Sequence, residues 1–105
     1  MKITDVNIIP IKPKDGLIGF ANIVADGNLW LSSIAIYTRS DGSYRLLYPT
    51  KLAGGKALNV FHPINRVTSN EIERAVFEKC KEVFERSDND RYYQIQHRAN
   101  DALEA

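Results

Sequence analysis

Three Asp-Gly dipeptides divide the first half of this 105-residue chain into short apolar segments: Asp15-Gly16, Asp26-Gly27 and Asp41-Gly42. Asp-Gly between apolar segments indicates a tight hairpin turn, because such turns need residues that accept a positive φ. The segments between the turns are rich in β-branched and aromatic residues, which favour strands. We therefore predict consecutive antiparallel strands over residues 6–11, 17–26, 29–38 and 44–48.

The predicted strand over residues 29–38 is apolar on both faces. Period-two alternation places Trp30 and Ile34 on one face and Leu31 and Tyr37 on the other. A strand of this kind lies centrally in a sheet or is covered by a partner subunit. Pro10 cannot donate to a ladder, so we expect the first strand at a sheet edge or at a bulge.

The second half of the chain predicts one helix. Thr68-Ser69-Asn70-Glu71 matches a capping box with Thr68 as N-cap, and Val67 and Ile72 occupy the positions of a hydrophobic staple. An apolar stripe follows at helical spacing. Its members are Ile72, Ala75, Val76, Cys80, Val83 and Phe84.

The predicted fold class is α+β, with a small antiparallel sheet of four to five strands and one packed C-terminal helix. A short fifth strand is expected over residues 57–62. We place the domain at residues 1–87 and a C-terminal tail at residues 88–105. A second short helix is possible in the tail, where Tyr92, Ile95, Ala99 and Leu103 share one side.

Charge is distributed unevenly along the chain. The formal net charge is +1, yet residues 1–66 hold eight basic and four acidic residues, whereas residues 67–105 hold six basic and nine acidic ones. This asymmetry indicates a surface in the sheet half that faces a polyanion. The sequence contains no apolar segment of the roughly 18 residues that a membrane span needs, so we expect a cytoplasmic protein without membrane contact.

Residues with catalytic or metal-binding chemistry are sparse. The sequence has no Gly-rich phosphate loop and no Cys or His cluster at metal-ligand spacing. Its histidines are His62 and His97, and we expect His62 to cap or pack the corner between sheet and helix. Cys80 falls on the apolar stripe of the helix, where a buried thiol is inert. We predict no catalytic residues, no metal and no cofactor.

Lys51 and Lys56 flank Gly54-Gly55 in a segment that we interpret as a flexible basic loop, and Arg66 lies just before the predicted helix. Long cationic side chains on adaptable backbone suit phosphate contact. The same residues also fit an ordinary solvated loop. Basic residues close to Tyr44, Tyr48, Tyr92 and Tyr93 would suit stacking of single strands, but tyrosines on a half-buried sheet with solvated hydroxyls are the favoured interpretation.

Several local motifs resemble the SpoVG family, also called stage V sporulation protein G or septation protein. The matching residues are Tyr48-Pro49-Thr50-Lys51, His62-Pro63-Ile64-Asn65, Thr68, Ile72 and Ala75-Val76. The resemblance implies a small antiparallel sheet with a packed helix, a dimer formed through strands, and binding of DNA and RNA. It further implies control of genes for division, sporulation, capsule or virulence, depending on the host.

The resemblance places a nucleic-acid role on Lys51, which matches a loop lysine of the family. Leu52, Ser69 and Glu71 stand where the family has basic residues. Two hypotheses follow. The first is a homodimeric nucleic-acid-binding regulator with phosphate contacts at Lys51, Lys56 and Arg66. The alternative is a dimeric protein-interaction module that has lost most of the family's basic footprint.

Overall fold

A four-stranded antiparallel sheet forms the body of the protein. The computed structural model describes residues 1–85. Neighbouring strands are antiparallel, and their spatial order follows the chain order β1-β2-β3-β4, which confirms the predicted succession of hairpins. β1 carries Pro10 and lies at an edge, as expected. The strands are β1 (Ile3–Lys14), β2 (Leu17–Ala25), β3 (Leu29–Thr38) and β4 (Tyr44–Leu47).

A β-bulge in β3 decides which of its side chains are buried. The register between β2 and β3 shifts at Asn22, and Ser33 adopts a left-handed φ of 69°. The buried Asn22 side chain accepts a hydrogen bond from the Ser33 N–H at 3.1 Å, which satisfies the amide that the bulge removes from the ladder. Because an extra residue shifts the alternation by one, Ile34 is fully buried while Trp30 is 58% exposed.

The sequence-based prediction that Trp30 and Ile34 share a face is therefore wrong. Trp30 pairs with Val24, and Ile34 pairs with Ala21. Successive β2 residues alternate between the two faces of the sheet, so these two partners point in opposite directions. Regular alternation cannot anticipate a bulge that is fixed by a side chain of the neighbouring strand.

The helix α1 (Arg66–Cys80) covers one face of the sheet. Its buried residues Ile72, Val76 and Cys80 recur every four positions and form the predicted apolar stripe. They pack against the inward side chains of the first three strands. These are Ile8, Ala21, Ile23, Ile34 and Ile36.

The helical segment continues through a π-helical turn, Lys81–Glu85. This turn brings Phe84 over Gly19, where a Cβ atom would lie 3.3 Å from Phe84 Cζ and 2.6 Å from the Ile9 carbonyl oxygen. The absence of a side chain at Gly19 leaves room for the Phe84 ring. Gly19 is thus required by the close approach of both the aromatic ring and the neighbouring strand.

The start of α1 differs from the sequence-based prediction. Asn65, not Thr68, is the N-cap: its backbone is extended, and its Oδ1 accepts a hydrogen bond from the Thr68 N–H at 2.8 Å. The Asn65 carbonyl oxygen accepts the Ser69 N–H at 3.1 Å and begins the helical ladder. Asparagine is as good an N-cap as threonine, and a helix that already exists gains bonds by extending over Arg66–Thr68.

The earlier start also changes the neighbours of the cap. Val67 is exposed rather than stapled to Ile72, and Ile64 is exposed as well. A staple joins the residue before the N-cap to one in the second turn, so moving the cap by three positions removes it.

Residues 50–59 form a second small sheet instead of a flexible loop followed by one strand. The strands β5 (Thr50–Ala53) and β6 (Lys56–Asn59) pair antiparallel around Gly54-Gly55. The two glycines have φ angles of 59° and 78°, the left-handed values that a two-residue hairpin turn requires at both positions. Lys51 therefore lies in β5 and Lys56 in β6, which corrects their placement in a loop.

The α+β class with an antiparallel sheet and a C-terminal helix is confirmed. The predicted boundary at residue 87 and the possible second helix of the tail lie outside the described residues. Within residues 1–85, every helix is too short or too polar to cross a membrane.

Candidate nucleic-acid interface

The β5–β6 hairpin brings two of the predicted site residues onto one face. Lys51 pairs with Leu58, and Ala53 pairs with Lys56. Directly opposed residues share a face, as do residues two apart along a strand. The Lys51 and Lys56 side chains therefore emerge on the same side as diagonal neighbours. We call this side the lysine face of the hairpin.

The opposite side of the hairpin has a different character. Its residues are Thr50, Leu52, Ala57 and Asn59. Leu52 is thus turned away from the lysine face and is exposed.

The hairpin projects from the body and is anchored at its base. All eight of its strand residues are exposed. At the base, the Val60 N–H donates to the Pro49 carbonyl oxygen at 3.0 Å, and the Tyr48 and Phe61 rings meet edge to face with centroids 6.1 Å apart. Both rings pack against the core cluster, so the root of the hairpin is fixed while its lysines face solvent.

Arg66 lies on a different element from the lysines. It is the first residue of α1, directly after the Asn65 cap, and it is exposed. A helix N-terminus carries a partial positive charge that favours anions. Glu73 lines the same shallow surface depression as Arg66, and its carboxylate weakens the positive potential there. The structure thus unites Lys51 and Lys56 and leaves Arg66 as a separate contribution.

The segment that contains the hairpin has no acidic residue. Between Asp41 and Glu71 the sequence holds four basic residues, Arg45, Lys51, Lys56 and Arg66, and no Asp or Glu. The lysine face therefore has no carboxylate of its own segment to neutralise it. Such a distribution concentrates positive potential on the hairpin although the whole chain is nearly neutral.

Tyr44 and Tyr48 pack against aromatic rings of the body rather than forming a stacking surface with the basic residues. The Tyr44 ring packs against Phe77 and Phe84, and its hydroxyl donates to Glu85 Oε2 at 2.6 Å. Burial is the main cause that raises the pKa of Tyr44, and the hydrogen bond to Glu85 raises it further. The Tyr48 hydroxyl is buried and has no hydrogen-bond partner. Burial is the larger and the negative charge of Glu73 the smaller of two causes that raise the pKa of Tyr48 to about 12.

These tyrosines were interpreted as half-buried sheet residues, and that interpretation is confirmed for Tyr44 in β4. Tyr48 is also half-buried but directly follows the last residue of β4. The expectation that their hydroxyls are solvated is wrong. The Tyr44 hydroxyl is bound to a carboxylate, and the Tyr48 hydroxyl is buried. Tyr92 and Tyr93 lie outside the described residues. Arg45 lies 5.9 Å from the Tyr37 ring centroid and not against Tyr44.

Cys80 and His62 have structural environments. Cys80 is a free, buried cysteine. Its burial and, to a smaller extent, the negative charge of Glu85 raise the pKa of the thiol to about 12. The thiol therefore stays protonated and unreactive at neutral pH. His62 is exposed, and its Nδ1–H donates to the Pro63 carbonyl oxygen at 3.1 Å, as expected for a side chain that caps this corner. In the described part of the chain, His, Cys, Asp and Glu side chains form no group of three or more that could hold a metal ion.

Sequence reasoning missed an apolar surface on the side of the sheet that faces away from α1. We call it the outer sheet face. The bulge at Ser33 places Trp30 there, and no local sequence signal announces this bulge. The apolar pattern on both sides of the predicted strand over residues 29–38 was the sequence feature related to this surface. Its apolar residues are Ile9, Phe20, Val24, Trp30, Ala35 and Leu47.

Comparison with known proteins identifies relatives along most of the chain. The SpoVG family model matches residues 1–82. A septation protein SpoVG of Treponema denticola is 31% identical over 78 residues, which cover 74% of this chain and 84% of the relative. The protein of the same name from Phytoplasma australiense is 30% identical over 83 residues, or 79% of this chain and 86% of the relative.

A more distant relative extends the match to nearly a whole protein. The septation protein SpoVG of Caldanaerobacter subterraneus subsp. tengcongensis is 24% identical over 89 residues, which cover 85% of this chain and 98% of the relative. The family match includes the four-stranded sheet, the β5–β6 hairpin and α1. On this evidence, the chain belongs to the SpoVG family.

Proposed function

We propose that this protein is a cytoplasmic, non-catalytic nucleic-acid-binding regulator that acts as a homodimer. The observation that carries the proposal is the lysine face, where Lys51 and Lys56 emerge on the same side of a projecting hairpin within an acid-free segment. The relatives' printed names refer to septation. We therefore assign the regulated genes to cell division or sporulation.

The shape of the hairpin suits a polyanionic duplex. A two-stranded β-ribbon fits the major groove of B-DNA, which is about 12 Å wide. Lysines at diagonal positions on one face of such a ribbon can reach successive phosphates with long, adaptable side chains. In this arrangement Lys51 and Lys56 make the main phosphate contacts. Arg66 adds a weaker contact because Glu73 lies close to it.

The test is a fluorescence-anisotropy titration of the full chain with labelled single- and double-stranded oligonucleotides at low and physiological salt. Three phosphate contacts on duplex DNA predict a slope of log K against log salt near −2.7, since each contact contributes about 0.9. The variant Lys51→Ala with Lys56→Ala should lower the magnitude of this slope by about 1.8 and weaken binding at every salt concentration.

A matched control separates the site from net charge. Lys12 and Lys14 are exposed lysines at the end of β1, so Lys12→Ala with Lys14→Ala removes the same charge from another part of the body. Its binding curve should stay close to wild type. If both double variants lose the same affinity for oligonucleotides, the loss is explained by the change in net charge and not by the hairpin. If the Lys51/Lys56 variant binds like wild type, the hairpin is not the binding site.

The alternative function is a protein-interaction module. Exposed apolar side chains favour it, above all Leu52 on the hairpin and Trp30 on the outer sheet face. Glu71 and Ser69 at the start of α1 remove bases that a nucleic-acid site of the family would use. Pull-down from a nuclease-treated host lysate separates the two functions, because a protein retained after nucleic acid has been digested supports the module.

The homodimer is common to both functions and has its own physical support. A sheet that is apolar on both faces needs cover on both, and α1 supplies only one layer. Analytical sedimentation of the full chain at micromolar concentration should give twice the monomer mass. A single monomeric species across that concentration range would contradict the dimer.

A further inference from the structure

The side of the β5–β6 hairpin that faces away from the lysines is uncharged. Thr50 pairs with Asn59, and Leu52 pairs with Ala57. Directly opposed residues share a face, and so do residues two apart along a strand, so these two pairs form one surface. We call it the neutral face of the hairpin. All four of its residues are exposed.

The side chains of the neutral face are available to a ligand. Leu52 is 76% exposed, and its cross-strand partner Ala57 is too small to cover it. Within residues 1–85, the side chains of Thr50 and Asn59 have no hydrogen-bond partner. The neutral face thus combines two free hydrogen-bonding groups with two apolar side chains.

This combination matches the base edges that an A·T pair presents in the major groove. The Asn59 amide both donates and accepts, so it can bind the N7 acceptor and the N6 amino group of adenine together. Leu52 and Ala57 offer apolar contacts for the C5 methyl group of thymine. Guanine presents two acceptors and cytosine has no methyl group, so a G·C pair fits these side chains poorly.

The positions of the lysines direct the neutral face toward the bases. Lys51 lies in β5 and Lys56 in β6, so the two side chains emerge toward opposite edges of the ribbon. In a major groove, one DNA backbone runs along each edge of the ribbon, and long lysine side chains can reach both backbones. The lysine face is then directed away from the groove floor, and the neutral face meets the base edges.

The dimensions of the hairpin fit two neighbouring readout positions. Its two rows of neutral side chains lie two residues apart, which is about 6.6 Å along a strand. Base pairs follow one another at about 3.4 Å, so the rows lie roughly two base pairs apart. The Gly54-Gly55 turn has no side chains, and the space around both glycines is open. The tip is therefore narrow enough to follow the groove.

We propose that the neutral face reads A·T base pairs in the major groove of duplex DNA, with Asn59 on adenine and Leu52 on the thymine methyl group. The inference rests on the proposed function, because the lysines hold the hairpin on the duplex. It adds a sequence preference that phosphate contacts cannot provide, since phosphates are the same at every base pair.

The experiment is a fluorescence-anisotropy titration of the full chain with duplexes of equal length made of A·T, G·C, A·U or inosine·cytosine pairs. The A·U duplex lacks the thymine methyl groups. The inosine·cytosine duplex presents the major groove of G·C and the minor groove of A·T. We expect A·T to bind about tenfold or more tightly than G·C, and inosine·cytosine to behave like G·C. The A·U duplex should bind about fourfold more weakly than A·T.

Single substitutions assign each preference to its side chain. Asn59→Ala should reduce the preference for A·T over G·C about tenfold, and Leu52→Ala should remove the difference between A·T and A·U. Neither variant should change the salt slope, because both keep the lysines. Leu58→Ala on the lysine face and Asn7→Ala on β1 replace exposed residues of the same types and should retain both preferences.

A rescue variant separates base reading from a distorted hairpin. Asn59→Gln keeps a side-chain amide, which can bind adenine in the same two-bond manner as asparagine. It should recover part of the A·T preference that Asn59→Ala loses. Equal losses in the alanine and glutamine variants would assign the effect to hairpin structure and contradict the base contact.

Other results would overturn the inference while leaving the proposed function in place. Wild type binds A·T and G·C equally, and binding still depends on Lys51 and Lys56, which leaves a phosphate site without base reading. Inosine·cytosine binds as tightly as A·T, which moves the readout to the minor groove. The preference persists in Asn59→Ala with Leu52→Ala, which assigns it to other residues. If Lys51→Ala with Lys56→Ala binds every duplex like wild type, the proposed site fails together with the inference.

Discussion

The body of the protein and the β5–β6 hairpin are both antiparallel and both joined by tight turns, yet they are stabilised by different means. In the body, Ile23, Ile34 and Ile36 are fully buried beneath α1. In the hairpin, every strand residue is exposed. A two-stranded hairpin without an apolar layer is marginal in water. The body therefore provides the stability of the protein, whereas the hairpin provides a solvent-exposed surface.

The largest expected effect comes from opening a cavity in the body. Ile36→Ala removes three carbons from a fully buried site and should cost roughly 3 kcal/mol of unfolding free energy, measured by urea denaturation. Leu58→Ala in the hairpin should change that free energy by less than about 0.5 kcal/mol, because Leu58 is exposed. Similar losses for both variants would break the distinction between the two regions.

Gly19→Ala tests the closest approach within the body. An added Cβ would lie 2.6 Å from the Ile9 carbonyl oxygen, which is backbone of the paired strand and cannot move without shifting β1. We expect a loss of about 2 kcal/mol in urea denaturation. Ala21→Gly at the next inward position of β2 serves as a comparison, because it removes rather than adds an atom. A neutral Gly19→Ala would mean that β1 and β2 are less tightly packed than described.

Because Asn65 and not Thr68 is the N-cap, replacing Asn65 should destabilise the protein more than replacing Thr68. Asn65→Ala removes the side chain that accepts the Thr68 N–H and should cost about 1 kcal/mol of unfolding free energy. Thr68→Ala should cost less, since Thr68 lies inside the helix and alanine is a better helix former. The reverse order in thermal or urea unfolding would restore the capping box at Thr68 and Glu71.

The smallest effect on stability is expected at the turn of the hairpin. Gly54→Ala with Gly55→Ala strains a turn whose φ angles are both positive, but it touches no core residue. The unfolding free energy should change by less than about 0.5 kcal/mol. Oligonucleotide affinity should nevertheless fall several-fold, because the two lysines are no longer held on one face. A large stability loss here would show that the hairpin is packed against the body.

Local sequence signals were sufficient for the elements of the body. The turn dipeptides Asp15-Gly16 and Asp26-Gly27 determine where β1 and β2 end, because few residue pairs accept the φ angles of 52° to 88° found there. The apolar period of Ile72, Val76 and Cys80 likewise determines the buried side of α1. Gly54-Gly55 carried the same kind of turn signal as the Asp-Gly pairs, but its flanking residues are too polar for the strand pattern to be evident.

The candidate site was predictable by residue type but not by geometry. Lys51, Lys56 and Arg66 follow from charge and from the family resemblance. The side on which each lysine emerges depends on the pairing of Lys51 with Leu58 and of Lys56 with Ala53. A shift of one residue in that register would place the two lysines on opposite faces, and composition does not report such a shift.

The sequence by itself determined the antiparallel meander, the apolar side of α1 and the concentration of basic residues between Asp41 and Glu71, because these depend on near neighbours in the chain. The tertiary structure decided that Phe84 closes over Gly19 and that Trp30 lies on the outer sheet face. The position of Trp30 depends on the hydrogen bond from the Ser33 backbone amide in β3 to the Asn22 side chain in the neighbouring strand β2. Such contacts join residues far apart in the chain, and their energies exceed the local preferences that a sequence pattern reports.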